Sequence, residues 1–234
     1  MQYKVSDILH DVRIILDENG VSVPLTSLGD VDTLSLNTLI ESKIEDAARI
    51  VELQAPLHLL SANGSDFGSG QGVNWHDSTN PGIGSGYIAL PTDFLRLICF
   101  RMSDWAYPVS EVIYPHDPRY ALQHSRYQGV KGNPQSPVVA IQTGESSSVL
   151  EFYSCDGGED VTVSIAKYLK EPKIATSTEG NGDEAESYKV IDLCDKLFRA
   201  ILYYTAYLVS CDVAPAVSSH FLSISKELAE IFPQ

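Results

Sequence analysis

The sequence predicts an α+β fold: a helical bundle formed by the N- and C-terminal helices, with a β-rich, sandwich- or barrel-like insertion between them. Three observations carry this expectation. Residues 1–60 and 184–234 repeat apolar side chains at helical spacing. The stretch from 87 to 172 alternates β-branched and aromatic residues with turn-forming clusters. Neither helical end can bury its apolar stripe alone, so the two ends are expected to close on each other.

In the first helix Ser6 reads as an N-cap, with Asp7 in the first turn favouring the helix dipole. Ile8, Leu9, Val12, Ile15 and Leu16 form one face, and Gly20 stops it. Residues 21–32 contain Pro24 and Gly29 and read as a connector. A longer helix is expected from Ser35 to about Gln54, ended by Pro56, with Leu36, Leu39, Ile40, Ile44, Ala47 and Val51 as its stripe. Glu45 and Arg49 form an i,i+4 pair in the favourable order and read as a solvated face.

Residues 61–86 are a Gly-rich loop broken by Phe67, Val73, Trp75 and Ile83, long enough to be functional or partly disordered. Trp75 reads there as an anchor, against its own β part or a neighbouring chain. Strands are expected at 86–91, 94–102, 108–114, 137–142, 148–153 and 161–169, with a short helix over 118–127. Residues 143–146 and 156–160 have the composition of hairpin turns. Pro172 ends the β part, and residues 173–183 read as an acidic, mobile loop. A strong helix is expected from 184 to 211, on the spacing of Val190, Ile191, Cys194, Leu197, Phe198, Ile201, Tyr204, Thr205 and Leu208. Pro215 breaks it, and Val217, Phe221, Ile224, Leu228 and Ile231 mark a last helix.

The chain is acidic throughout: 31 Asp and Glu against 16 Lys and Arg give a net charge of −15 over 234 residues. Such a surface should neither wrap nucleic acid nor dock on anionic lipid, although it suits a passage through which DNA slides without sticking. Cys99, Cys155, Cys194 and Cys211 are widely spaced, and Cys194 and Cys211 fall in an apolar helical pattern as free buried thiols. A reducing, intracellular site of folding is therefore expected. No apolar run resembles a signal peptide or approaches membrane-spanning length.

Catalytic signatures are missing. Gly68-Ser-Gly-Gln-Gly-Val-Asn-Trp and Gly82-Ile-Gly-Ser-Gly-Tyr match neither a dinucleotide fingerprint nor a phosphate loop. The six histidines make no metal-ligand spacing, and His76-Asp77 and His116-Asp117 read as polar loop pairs. No cofactor is expected. One charge pattern stands apart: residues 118–144 lack a carboxylate, and Arg119, His124, Arg126 and Lys131 are interleaved there with Tyr120, Gln123, Tyr127 and Gln128. That patch and Trp75 are the candidate contacts with another subunit or an acidic partner.

Ile88-Ala-Leu-Pro-Thr-Asp-Phe-Leu-Arg-Leu, Trp105-Ala-Tyr-Pro-Val, Gly132-Asn-Pro-Gln-Ser-Pro-Val and the late Tyr168-Leu-Lys-Glu-Pro resemble segments of the head-to-tail adaptor proteins (tail tubular A-like) of short-tailed bacteriophages. The versions found in large gut phages of the crAss-like type are the more similar, through the long Gly-rich loop and the β middle. The resemblance implies a non-enzymatic virion protein made in the host cytoplasm. It further implies a homo-oligomeric ring, usually of twelve copies, between the portal protein and a tail or nozzle protein, with DNA passing through the lumen and no membrane involved. The family has no catalytic residues to carry over. The rival readings are an enzyme or small-ligand protein built on His116, Asp117 and tyrosines, and a carbohydrate-binding module using Trp75, Trp105 and exposed tyrosines.

Overall fold

The computed structural model describes residues 1–18, 35–60, 64–70, 73–76, 84–125, 127–144, 148–155, 161–179, 186–213 and 215–230. Gly20, the connector at 21–32, Arg126, the segments at 156–160 and 180–185, and Ile231 lie outside them. The chain divides into two compact units, Met1–Asn63 with Glu171–Gln234, and Gly64–Lys170.

The first unit joins the two chain ends. Strand β1 (Gln2–Lys4) runs directly into helix α1 (Val5–Glu18), which buries Val5, Ile8, Val12, Ile15 and Leu16. Ser6 is therefore not the N-cap. It lies inside the first turn, and its hydroxyl donates to Asp7 Oδ1 at 3.1 Å. Helix α2 (Leu36–Gln54) begins as expected: the Ser35 hydroxyl accepts from the Thr38 amide at 3.2 Å, satisfying one of the orphan donors of the first turn. Ile40, Ile44, Ala47 and Val51 are fully buried. A single turn, α3 (Leu57–Leu60), follows Pro56.

At the other end of the chain, α5 (Phe198–Val213) packs against α6 (Pro215–Leu228), α2 and α1. Leu197, Ile201, Thr205 and Val209 are buried, while Tyr204 and Leu208 are only half-buried. The expected stripe is turned because α5 meets three helices, so Leu202 and Ala206 on an adjoining face are also covered. The Ser225 hydroxyl on α6 donates to the Ala200 carbonyl at 2.8 Å, a buried interhelical bond.

The helix expected from 184 does not begin there. Residues Glu186–Asp192 form strand β10, which pairs antiparallel with β9 (Ile174–Glu179) and with β1, in the order β1-β10-β9. The same finding corrects the acidic loop at 173–183, most of whose first half is β9. Val190 and Ile191 fit both a helical stripe and a buried strand pair. The choice is made by backbone bonds to β1, a partner from the opposite end of the sequence. Glu45 and Arg49 do more than face water. Glu41 bonds Lys189, Glu45 accepts from the Ile174 amide at 2.7 Å, and Arg49 meets Glu171 at 3.7 Å. Three residues of α2 at four-residue spacing thus tie the helix to β9, β10 and the chain just before β9.

The second unit is a sandwich. One sheet has the order β2-β8-β5 and the other β3-β4-β7-β6, all antiparallel. The strands are β2 (Ser65–Asp66), β3 (Asn74–Trp75), β4 (Gly84–Ala89), β5 (Phe94–Met102), β6 (Val138–Thr143), β7 (Ser148–Cys155) and β8 (Val163–Lys170). Leu97, Phe100 and Met102 of β5 and Ala166 of β8 share one core with Val139 of β6 and Leu150 and Phe152 of β7. Phe67, Val73 and Trp75, from the Gly-rich stretch, pack on that core. β6 and β7 form the expected hairpin, with Thr143 opposite Ser148. β7 and β8 lie in different sheets, β7 being flanked by β4 and β6, and the turn expected at 156–160 falls outside the described residues. Residues 108–114 contribute only isolated bridges, at Val109 and Ile113. Prolines at 108 and 115 each remove a ladder donor there.

Two backbone positions in the second sheet are demanding. A Cβ on Gly86 would lie 2.5 Å from the Asn74 carbonyl oxygen and 2.6 Å from the Phe152 ring, so the close pairing of β3 with β4 at this point requires glycine. Ser154 has φ +93° at the bulge where the β4–β7 register shifts, and its buried hydroxyl has no hydrogen-bond partner among the described residues. Replacing Ser154 with Gly is expected to stabilise the protein by about 1 kcal/mol, since glycine adopts this φ without strain and removes a desolvated hydroxyl. Urea unfolding of the two proteins, with unchanged m, checks it.

All four cysteines are free. Cys155 and Cys194 are buried, Cys99 is half-buried, and Cys211 is exposed on the last turn of α5, against the expectation of a buried thiol. Among the described residues no helix is long and apolar enough to cross a membrane.

Candidate docking surface and its carboxylate latch

The long connection from β5 to β6 carries the carboxylate-free stretch. Helix α4 (Pro118–Gln123) starts inside it with Pro at the first turn and Asp117 as N-cap, accepting from the Arg119 amide at 2.8 Å. Gln123 closes the segment on itself: its Nε2 donates to the Arg119 carbonyl at 3.1 Å and its Oε1 accepts from the Gly132 amide at 2.9 Å. Beneath α4, Ile113, Ala140 and Tyr153 make a small second core with Tyr120 and Val138.

Glu151 is the centre of this site. In β7, Leu150 and Phe152 face the core between the sheets, so the two-residue period turns Glu151 and Tyr153 to the other face, under α4. Glu151 is only 6% exposed. Its Oε2 accepts from the Tyr153 hydroxyl at 2.5 Å, from Gln142 Nε2 at 3.0 Å and from the Tyr120 hydroxyl at 3.2 Å. His76 Nε2, just after β3, stands 3.6 Å from Oε1, and His124 Nε2 stands 3.3 Å from the Tyr153 hydroxyl. Burial first, and then the bond to Glu151, push the Tyr153 phenol far above its ordinary range, so it remains a neutral donor. One buried carboxylate therefore gathers groups from α4, β6, β7 and the residue that follows β3. The arrangement satisfies each polar group it buries, which is what makes a buried charge tolerable. Its effect is to hold α4 on the sheet.

Tyr153→Phe is expected to cost about 1–2 kcal/mol, since it removes a donor from a buried carboxylate while keeping the ring. Thermal and urea unfolding of the variant check it, and an unchanged midpoint would show the latch to be slack.

The candidate residues fall into different roles. Tyr120 and His124 belong to the latch, with rings 4.6 Å apart. Arg119 is not an available cation, because its guanidinium holds Asp117 at 2.9 Å and Glu111 at 2.7 Å. These bonds raise the Arg119 pKa and lower that of Asp117. The sequence run free of carboxylates had hidden this, since both partners lie just upstream of it. Tyr127 is 61% exposed and Lys131 half-buried. Arg126 lies outside the described residues. Trp75 anchors its own unit, edge-on to Phe152 at 5.4 Å between ring centroids.

Glu151, Gln142, Tyr153 and His76 were not singled out from sequence as site residues. The available signal was in β7 itself: with Leu150 and Phe152 on one face and Tyr153 on the other, both faces are apolar or aromatic, so a carboxylate there had to be buried and bonded. Compared with the models of known protein families and with curated proteins, the chain matches none. Among the described residues no cluster of His, Cys, Asp and Glu could hold a metal ion.

Proposed function

We propose that this chain is a structural virion protein, a head-to-tail adaptor that forms a ring between portal and tail and gives DNA an acidic passage. The observation that supports it is where the apolar surface lies. Of the ten large hydrophobic side chains exposed among the described residues, five (Tyr107, Tyr114, Leu122, Tyr127 and Val130) sit on the β5–β6 connection. That connection is latched to a sandwich through Glu151, so it presents its apolar groups from a fixed base, as a docking surface requires. The motif resemblance and the net charge of −15 point the same way.

The rivals have less to rest on. Trp105 is 1% exposed and Trp75 packs edge-on to Phe152, so the carbohydrate reading lacks the open indole faces it needs. Asp117 is committed as an N-cap and to Arg119, and His116 stacks on Tyr114 at 5.8 Å, which leaves the enzyme reading without its pair.

Electron microscopy of the purified chain, alone and mixed with portal and tail proteins, tests the proposal. Rings joined coaxially to the portal are expected. Failure to associate with the portal in any mixture would overturn it.

A further inference from the structure

The groove between α1 and α5, about 470 Å3 in volume, has an apolar floor and charged walls. Ile15 and Leu202 are buried in the floor, and Phe198 stands beside them with its ring stacked on Tyr3 at 4.1 Å. Asp11 lines the groove from α1, while Arg199 and Tyr203, one helical turn apart, line it from α5. The side chains of Asp11 and Arg199 make no hydrogen bond or ion pair with any described residue, and they do not meet each other. By contrast, Lys43, Arg49, Lys173 and Lys189 of the same unit are all engaged by carboxylates. Both uncommitted charges ride on helices whose buried faces are already packed together, which fixes the spacing between them.

Those two charges select the occupant. A simple carboxylate suits Arg199 but is repelled by Asp11, and a simple amine suits Asp11 but is repelled by Arg199. A molecule that carries both charges satisfies both walls. Having no net charge, it is also not driven off by the chain's −15. The floor adds the need for an apolar body. We infer that the α1–α5 groove binds an α-amino acid with a large apolar side chain. The ammonium of the ligand donates to the Asp11 carboxylate, and its own carboxylate accepts from the Arg199 guanidinium and the Tyr203 hydroxyl. Its side chain lies over Phe198 and Leu202. The site is built within the helical unit alone, and it does not depend on the adaptor reading.

The test titrates phenylalanine into the full-length protein by calorimetry, beside two analogues that each lack one charge, phenylpropionate and phenylethylamine. Saturable binding of phenylalanine is expected, with each analogue weaker by about tenfold or more, the loss of one charge-assisted bond. Asp11→Asn should weaken phenylalanine but leave phenylpropionate unchanged or tighter. Arg199→Gln should weaken phenylalanine but leave phenylethylamine unchanged or tighter. A damaged fold would not produce this crossed pattern, and neither position is buried. Absence of saturable phenylalanine binding would overturn the inference, and so would either analogue binding as tightly as phenylalanine. Variants of unchanged circular dichroism that lose all three ligands alike, or none, would overturn it too. Any of these failures would leave binding to the portal, and with it the adaptor reading, untouched.

Discussion

Replacing Glu52 with Gln is expected to stabilise the protein by about 3 kcal/mol at pH 8 and to change little near pH 4. Glu52 ends the buried face of α2 at 2% exposure, and its Oε1 accepts from the Cys194 amide at 3.1 Å, where the chain leaves β10 for α5. Burial pushes its carboxyl from an ordinary 4.5 up to about 7, and the Cys194 hydrogen bond offsets only part of that. The unfolded chain therefore loses this proton first as pH rises. Deprotonation favours unfolding, so the contribution is greatest below pH 4.5, falls progressively between 4.5 and 7, and stays level above. Gln keeps the acceptor for the Cys194 amide and carries no charge to desolvate. The measurement is the difference in unfolding free energy between the two proteins from pH 4 to 9. A difference that does not grow across that range would show that Glu52 is not held in a desolvated site.

Leu197→Ala is expected to cost about 2–5 kcal/mol, the range for emptying a fully buried leucine site. Leu197 has no exposed surface and sits in the short turn that aims α5 into the bundle. The loss combines transfer of the side chain to water with a cavity that α5, held by three other helices, cannot easily collapse to fill. Urea denaturation with a shared m-value checks it. A loss below about 0.5 kcal/mol, the level of an ordinary surface substitution, would contradict a bundle shared by the two chain ends.

At the candidate docking surface, the sequence singles out a segment by its cations, and the folded chain shows what those cations meet. The stretch from 118 was singled out as cationic, yet Arg119 is neutralised by Glu111 and Asp117, two carboxylates just before it. What distinguishes the segment in the folded chain is exposed apolar surface at Leu122, Tyr127 and Val130. Exposure depends on what packs above a residue, and composition along the chain does not report that. Glu151 was passed over for a related reason: its partners Tyr120, Gln142 and His76 are assembled by strand pairing and by the seating of α4.

The sequence by itself determined the elements whose signals are local. The Ser35 cap and the α2 stripe of Ile40, Ile44, Ala47 and Val51 follow from spacing within a few turns. The β6–β7 hairpin follows from alternation around one short turn. Tertiary structure alone decided β10, where Val190 and Ile191 satisfy either period and the backbone partner is β1. It also decided that β7 and β8 join different sheets, since the sheet a strand joins depends on which edges remain open. Local chemistry sets what a segment can form, whereas backbone hydrogen bonds and burial between segments far apart in sequence select among the forms it allows.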